Sequence, residues 1–221
     1  MLLLASTAAM LLVAGAPPLA RGEDYRVDSE EDFPHWKPGT GACEIAPGDD
    51  RCTLRAAIME ANARPGKDRI VVPAGTYPLS TAAIVDDYSI FGDLDITDDL
   101  VIEGAGVGAT ILDGGGQDRI LDVHHARVEV SGLSLRNGNT VEIAEPGGAV
   151  RSSGDLTLSR IRVSASKGIG DGACTRAPQD LSPDDPCDAA RASGAIASTG
   201  SLRLLGVSVD GNPVDRQDKA R

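Results

Sequence analysis

Three copies of one eight-residue pattern lie in the second half of the chain, and they constrain its fold more than any other feature. The copies are the segments 128–135, 156–163 and 202–209, and their apolar residues occupy matching positions. Within each copy apolar and polar residues largely alternate, which is the period of a strand with one buried face. Related Gly-Ala pieces, at 148–149 and 194–195, precede the second and third copies. Repeated short strands that differ mainly in the loops between them predict a β-solenoid.

Composition agrees with many short strands joined by tight turns. Aromatic residues make up only 3% of the chain, which contains 26 glycines, so the core must be aliphatic and turn-rich. The alternative architecture is a β-sandwich, whose strands would be antiparallel. Hairpin dipeptides are few, and Asn137-Gly138 and Gly211-Asn212 also suit the corners of stacked coils. The solenoid therefore agrees better with the sequence than the sandwich does.

One amphipathic helix is predicted before these strands, over residues 53–63. Its apolar residues recur at helical spacing and form one stripe, made of Leu54, Ala57, Ile58 and Ala61. Thr53 can cap the first turn, and Pro65-Gly66 ends the helix. We expect Leu54, Ile58 and Ala61 to be buried as a cap over the strand array, and Arg55 and Glu60 to be more exposed.

The helical segment Cys52–Asn62, with the sequence CTLRAAIMEAN, resembles the CSLREA motif, commonly written C-[ST]-L-R-E-A-I-x-x-A-N. That motif opens many secreted bacterial right-handed parallel β-helix proteins. Segments 68–77 and 92–104 also resemble the family's first coils, and the resemblance covers about residues 24–212. Ala56 departs from the usual Glu. The resemblance implies an all-β fold, a right-handed parallel β-helix (β-solenoid) with an N-terminal capping α-helix, and an exported location.

The first twenty residues contain no charged side chain, and Leu2–Ala16 is an apolar run rich in Leu and Ala. This segment resembles a secretory signal peptide, although no Lys or Arg precedes the run. A retained membrane anchor is the alternative, but the run is shorter than the roughly 20 residues of a span. The predicted division is a signal peptide at 1–20, an entry segment and capping helix at 21–66, the β-helix at 67–212 and a charged tail at 213–221.

Four cysteines suit an oxidising compartment. Local pairing, Cys43 with Cys52 and Cys174 with Cys187, is the simplest of the three possible connectivities. A zinc site is the competing interpretation, but the chain has no CxxC and no His close to any Cys. Disulfides are therefore predicted.

Charge excludes two classes of partner. The net charge of −12 at pH 7 argues against nucleic acid and anionic lipid, because phosphates need cations to neutralise them. No Lys or Arg occurs between Arg69 and Arg119, while nine acidic residues do. In a strand Asp93 and Asp95 would point outward on one face, where paired carboxylates could bind Ca²⁺. The alternative is a solvated acidic face, with no cofactor.

Catalysis has candidate residues but no recognisable constellation. A glycosidase needs two carboxylates across a groove, and the acidic candidates are Asp95, Asp98 and Asp122. A lyase would need a base from a neighbouring coil, supplied by Arg119, Arg127 or Arg136. His124-His125 follows a predicted strand, and an exposed turn explains it without a catalytic or metal-binding role.

Two functions are therefore expected from the sequence. The first is an exported, non-catalytic scaffold for surface display, adhesion or carbohydrate binding, located outside the cell or on its surface, with a polysaccharide or another surface protein as partner. The alternative is a polysaccharide lyase or glycoside hydrolase that acts along one face of the strand array. The repeat and the missing catalytic constellation favour the first.

Overall fold

The computed structural model describes residues 22–80, 89–140, 145–168 and 195–210, and its strands form two sheets. Every strand pairing in both sheets is parallel. The nine-stranded sheet contains β1 (Asp24–Arg26), β2 (Asp68–Val72), β3 (Gly75–Pro78), β5 (Leu100–Gly104), β6 (Thr110–Asp113), β8 (Arg127–Arg136), β10 (Asp155–Ser164), β12 (Leu202–Leu205) and β13 (Ser208–Asp210). The four-stranded sheet contains β4 (Leu94–Ile96), β7 (Leu121–Val123), β9 (Val150–Ser152) and β11 (Ile196–Ser198).

The internal repeat sets the strand register. Leu156 pairs with Val128 on one side and with Leu202 on the other, which is the alignment of the three copies in the sequence. Val163 likewise pairs with Val209 at the far end of the copy. Equivalent residues therefore lie side by side, and each buried position of one copy continues a row through the next.

The predicted fold class, an all-β right-handed parallel β-helix, is corrected by this topology. The described residues form two separate all-parallel sheets with one helix packed against strands of both, and no closed solenoid is detected among them. The arrangement is that of a parallel sheet structure of the α/β type. The reason for the error is that a strand repeat specifies parallel pairing within a sheet but does not specify how one sheet is joined to the next.

The core lies where the two sheets meet. One row of buried apolar side chains runs across the smaller sheet, through Leu94, Leu121, Val150 and Ile196. A second runs across the larger sheet, through Ile70, Ile102, Val130 and Leu158. Both rows belong to one hydrophobic cluster, so the sheets share a single aliphatic core.

The helix α1 (Leu54–Asn62) forms as the sequence predicts, and it contacts β2 and β4. The Thr53 hydroxyl caps its first turn by accepting a hydrogen bond from the Ala56 amide at 3.0 Å. Leu54, Ile58 and Ala61 are buried, as expected for the apolar stripe. The expectation that Arg55 and Glu60 would be more exposed is wrong, because both are buried as well.

The buried Arg55 guanidinium joins the helix to two distant segments. It forms an ion pair with Asp32 in the entry segment, with Nε 2.6 Å from the carboxylate. It also donates to backbone carbonyl oxygens just before β4, those of Ser89, Gly92 and Asp93, at 3.0, 2.7 and 3.1 Å. A buried charge is tolerated only when its donors find such partners. Periodicity alone gives no sign of these partners.

Glu60 fixes the entry segment from the opposite side of the helix. Its carboxylate accepts hydrogen bonds from the Gly39 amide, at 2.5 Å, and from the Gly41 amide. Both glycines have positive φ angles, 92° and 86°, which other residues rarely adopt. The Cys43–Cys52 disulfide closes the same segment, as predicted.

Several predictions fall outside the described residues. These are the signal segment at 1–20, the Cys174–Cys187 pair and the tail at 213–221. Within the described part of the chain, α1 is the only helix, and no helix has the length and apolar character needed to cross a membrane. Strand β1, in the predicted entry segment, already pairs with β2.

We expect Arg55→Ala to lower the free energy of unfolding by about 3–5 kcal/mol, because it removes the cation that forms a buried ion pair with the Asp32 carboxylate. Arg51→Ala is the matched control, since Arg51 pairs with Glu31 and Asp49 at a side chain that is 51% exposed. Its loss should stay below about 1 kcal/mol. Urea denaturation of both variants measures the difference, and equal losses would contradict the role given to Arg55.

We expect removal of the Cys43–Cys52 bond by a double Cys→Ser substitution to cost on the order of 2–3 kcal/mol, because a loop with a sequence separation of 9 is no longer closed in the unfolded chain. A matched measurement compares the unchanged protein with and without a reductant. If the reductant lowers the melting temperature of the double variant as much as that of the unchanged protein, the effect does not come from this bond.

Candidate functional site

The outward face of the four-stranded sheet carries a row of three charged residues that ends in an alanine. Asp95, Asp122, Arg151 and Ala197 occupy the middle position of the four strands and pair in that order. Their neighbours along each strand point into the core, so these four side chains share the opposite face. Residues 124, 153 and 199, two positions further along β7, β9 and β11, extend the same face just past the strand ends.

Asp122 lies at the centre of this face and is bound by two arginines. Arg119 Nη1 donates to its Oδ2 at 3.0 Å. Arg151 Nε donates to both carboxylate oxygens, at 3.1 and 2.9 Å, and Arg151 Nη2 makes a further short contact with Oδ2. Hydrogen bonding to Asp122 raises the pKa of Arg151 despite its partial burial, so that the guanidinium stays charged. The Asp122 carboxylate is therefore held in place by charge-assisted hydrogen bonds from both arginines.

Two more carboxylates complete the network around the arginines. Glu145 Oε2 accepts from Arg119 Nη2 at 2.7 Å and from Arg151 Nη1 at 2.5 Å, so it bridges the two. Asp93 Oδ2 accepts from Arg119 Nη1 at 3.0 Å. Burial raises the pKa of Asp93 to about 7, Asp95 adds to the rise, and Arg119 opposes it. Asp93 therefore gains or loses a proton near neutral pH.

His124 is held by Asp95, which the sequence did not reveal. Its Nε2 lies 2.9 Å from Asp95 Oδ1 and 3.6 Å from Asp122 Oδ2. Asp95 is buried, and burial raises its pKa while the hydrogen bond to His124 lowers it. The expectation of an exposed His pair is right for His125 only, since the His124 side chain is 26% exposed. His125 has a φ of 56°, in the left-handed region typical of a turn.

The predicted Ca²⁺ ligands are Asp93 and Asp95, and both were expected to point into solvent. The structure does not place them there. Both are buried, and their carboxylates contact Arg119 and His124 respectively. Ligand atoms of Asp95, Asp122 and His124 lie within 4.8 Å of one another, a spacing that could hold a metal ion. Two guanidinium groups on Asp122 nevertheless supply positive charge that a bound cation would have to displace. A calcium site stays a prediction, and this charge weighs against it.

A cavity of about 260 Å³ opens on this polar face. It lies at the carboxyl ends of three neighbouring parallel strands, the edge at which parallel sheets commonly bind ligands. Its walls combine charged groups, hydroxyls and small apolar side chains, from Asp122, His124, Pro146, Arg151, Ser152, Ser153, Ala197, Ser198 and Thr199. The lining thus joins residues that are up to 77 positions apart in the sequence.

A larger cavity, of about 570 Å³, lies beside the helix and has a different character. Its walls are mainly apolar and include Trp36, a residue that is 43% exposed. The polar side chains there are used internally: His35 Nε2 lies 2.6 Å from the Ala42 carbonyl oxygen, and Asn62 bonds to the backbone of Asp95 and Thr97. This cavity therefore offers little to orient a polar ligand.

Comparison of the chain with protein-family models, with curated proteins and with solved structures finds no significant match. The resemblance to CSLREA proteins therefore stays a prediction from the motif.

Of the acidic residues singled out in the sequence, the structure brings Asp95 and Asp122 together and places Asp98 apart from them, beside the Gly66 amide. Arg119, one of three candidate bases, joins the site, whereas Arg127 and Arg136 bind Asp99 and Asp113 elsewhere. Arg151 and Glu145 were missed. The repeat does not identify Arg151, because Arg151 lies 29 residues after its partner Asp122 whereas the copies at 128–135 and 156–163 are 28 residues apart.

We expect Asp93 to make folding less favourable as pH rises from about 4 to 7. Its pKa is about 7 in the folded protein and 3.8 in the unfolded chain, so within this window the folded state binds more protons, and raising the pH favours unfolding. The loss is at most about 4 kcal/mol at 1.36 kcal/mol per pKa unit. Denaturation of Asp93→Asn across this range should show a smaller decline than the unchanged protein.

The matched control for this effect is Asp49→Asn. Hydrogen bonds from the Arg51 side chain and backbone lower the pKa of Asp49, so it titrates below this window. Its variant should therefore keep the decline of the unchanged protein. If Asp93→Asn declines as steeply as Asp49→Asn does, the pKa of Asp93 is not raised as described.

Proposed function

We propose that this chain is an exported, non-catalytic protein that binds a neutral, hydroxyl-rich ligand, such as a sugar, on the polar face of its four-stranded sheet. The observation that carries the proposal is the Asp122–Arg151 pair at the wall of the 260 Å³ cavity. Such a pair presents fixed donors and acceptors side by side, which suits the hydroxyl groups of a sugar.

Groups that remain available at the cavity support a hydroxyl-rich ligand. Arg151 carries five N–H donors, and its contacts with Asp122 and Glu145 do not use all of them. The Thr199 hydroxyl and His124 Nδ1 make no hydrogen bond to the described part of the chain. Ala197 and Pro146 add small apolar surface for the ring carbons. The volume is slightly below the roughly 300 Å³ of the smallest drug-sized sites, so one sugar ring suits it better than a longer chain.

Local charge favours a neutral ligand over an acidic one. Two arginines face four carboxylates in the network, those of Asp93, Asp95, Asp122 and Glu145. The whole chain also carries a net charge of −12. An anionic ligand would meet a negative surface without an unpaired cation to bind it. This charge weighs against an acidic polysaccharide as the partner at this cavity.

The same network supports binding rather than hydrolysis. A glycosidase needs a protonated carboxyl and an ionised one on opposite sides of the scissile bond. Asp122 and Glu145 are held by arginines, and Asp93, the carboxyl with a pKa near 7, is buried and does not line the cavity. Among the described residues the cavity is lined by one carboxylate only, that of Asp122, so no pair of carboxylates lies across it.

One observation favours the enzyme alternative, and it is the Asp95–His124 pair. A buried carboxylate that orients a histidine beside a cavity is an arrangement that prepares a general base. Arg151 on the next strand could neutralise developing charge. A lyase or hydrolase acting at this face therefore stays the second candidate, and it requires His124 for turnover.

Export and surface location are supported by three features. The disulfide between Cys43 and Cys52 suits an oxidising compartment. The CSLREA-like motif and the apolar leader, both read from the sequence, agree with secretion. A polysaccharide or another surface protein stays the proposed partner, with the saccharide bound at the polar face.

We expect calorimetric titration with glucose, galactose, mannose and N-acetylglucosamine to detect binding of at least one neutral sugar, and glucuronate to bind at least tenfold more weakly. Ala197→Trp should abolish binding because the new ring fills the cavity. Thr157→Trp is the matched control, since Thr157 lies mid-strand on the other sheet. Preferential binding of glucuronate, or unchanged binding by Ala197→Trp, would contradict the proposal.

Product analysis separates the two candidate functions. Incubation with neutral and acidic oligosaccharides should give no new reducing ends and no unsaturated products. Turnover that disappears in His124→Ala, with folding unchanged by circular dichroism, would instead favour the enzyme alternative.

A further inference from the structure

A second polar cavity, of about 420 Å³, lies at the carboxyl ends of strands in the nine-stranded sheet. Pro78 ends β3 and Asp113 ends β6, while Asn137 and Ala165 follow directly after β8 and β10. Four levels of parallel strands therefore contribute to one rim, an edge at which parallel sheets commonly bind ligands. The lining comprises Pro78, Asp113, Gly115, Gly116, Asn137, Gly138, Asn139, Ala165 and Lys167. Its volume lies within the range of ordinary ligand sites.

The carboxylate of this cavity is already occupied. Asp113 Oδ1 accepts from the Gly115 amide at 3.0 Å and from Asn137 Nδ2 at 2.8 Å. Its Oδ2 accepts from Arg136 Nε at 2.8 Å. Burial alone would raise the pKa of Asp113, but these hydrogen bonds outweigh it and lower the pKa. Asp113 is therefore an ionised structural group that shapes the rim rather than a group that binds a ligand's cation.

Lys167 supplies the available charge. Its backbone is fixed, because its amide donates to the Gly138 carbonyl at 2.9 Å and its carbonyl accepts from the Thr140 amide at 3.1 Å. It also forms a parallel bridge with Asn139. Its ammonium group makes no hydrogen bond or ion pair with the described part of the chain. A lysine whose ammonium group has no counter-charge among the described residues thus lines the cavity.

The local charge around this cavity is positive, whereas the charge around the first cavity is negative. Lys167 and the Arg136 guanidinium on Asp113 give two positive charges against one carboxylate. The chain as a whole has a net charge of −12 and repels anions, but at this cavity the local positive charge attracts an anionic group. The side-chain oxygen of Asn137 has no donor among the described residues, so it can accept a hydroxyl hydrogen.

We propose that this cavity binds a small hydroxy-carboxylate, with the carboxylate on the Lys167 ammonium and a hydroxyl group on the Asn137 side-chain oxygen. The apolar surfaces of Pro78 and Ala165 and the exposed glycines of the rim leave room for the carbon body of the ligand. The site is separate from the polar face of the four-stranded sheet and takes a ligand of opposite charge preference.

Calorimetric titration with gluconate and with sorbitol tests the proposal, because the two probes share a polyhydroxy chain and differ in the carboxylate. We expect gluconate to bind at least tenfold more tightly than sorbitol, and its affinity to fall with added NaCl. Lys167→Ala should weaken gluconate binding at least tenfold, and Lys167→Arg should restore part of it. Lys67→Ala is the matched control, since Lys67 is an exposed lysine paired with Glu129.

Three results would overturn the proposal. They are equal affinity for sorbitol and gluconate, unchanged gluconate affinity in Lys167→Ala, and inorganic phosphate binding as tightly as gluconate, which would indicate a general anion effect. Ala197→Trp, which fills the first cavity, should leave gluconate binding unchanged. Failure of the sugar-binding proposal and failure of this one are therefore distinguishable.

Discussion

The buried Arg55 guanidinium is the interaction on which the candidate site depends. It lies in α1, pairs with Asp32 and donates to the backbone carbonyls of residues 89–93. That short segment leads directly into β4, which carries Asp95. A charge of this kind is costly to bury unless its donors are satisfied, so the helix, the entry segment and the start of β4 are constrained together. The position of Asp95 against His124 follows from that constraint.

Because the strands pair in parallel register, residues that are far apart in the sequence lie next to each other on one surface. Asp95, Asp122, Arg151 and Ala197 are 27, 29 and 46 residues apart, yet they occupy one row because equivalent strand positions pair. Two carboxylates directly beside each other would repel, and the sheet accommodates them by placing Arg151 next in the row and Arg119 at 3.0 Å from Asp122. The charges of the row therefore have a structural role before any ligand binds.

The sequence predicts those features that depend on local pattern. The alignment of the three copies gives the pairing of Leu156 with Val128 and Leu202, and the apolar spacing gives the buried side of α1. Burial of Arg55 and Glu60 could not be predicted, because their partners lie in irregular segments without a periodic signal. The joining of the two sheets was predicted wrongly for a related reason: the repeat records which strands pair but not how the sheets connect.

For the site residues, too, the sequence pattern does not predict the charged and polar partners that surround them. The alternation of apolar and polar residues in β4 correctly places Asp95 on the other side of the strand from its apolar neighbours. It also predicts that this side faces solvent. In the structure that side is covered by Arg119, His124 and Arg151, so the carboxylates are buried by polar partners. Because those partners already hold the carboxylates of Asp95 and Asp122, these two groups would have to break several hydrogen bonds before they could transfer a proton or bind a cation. A neutral ligand that adds hydrogen bonds to the outer rim meets no such barrier, and this difference is the physical argument for recognition over catalysis at this face.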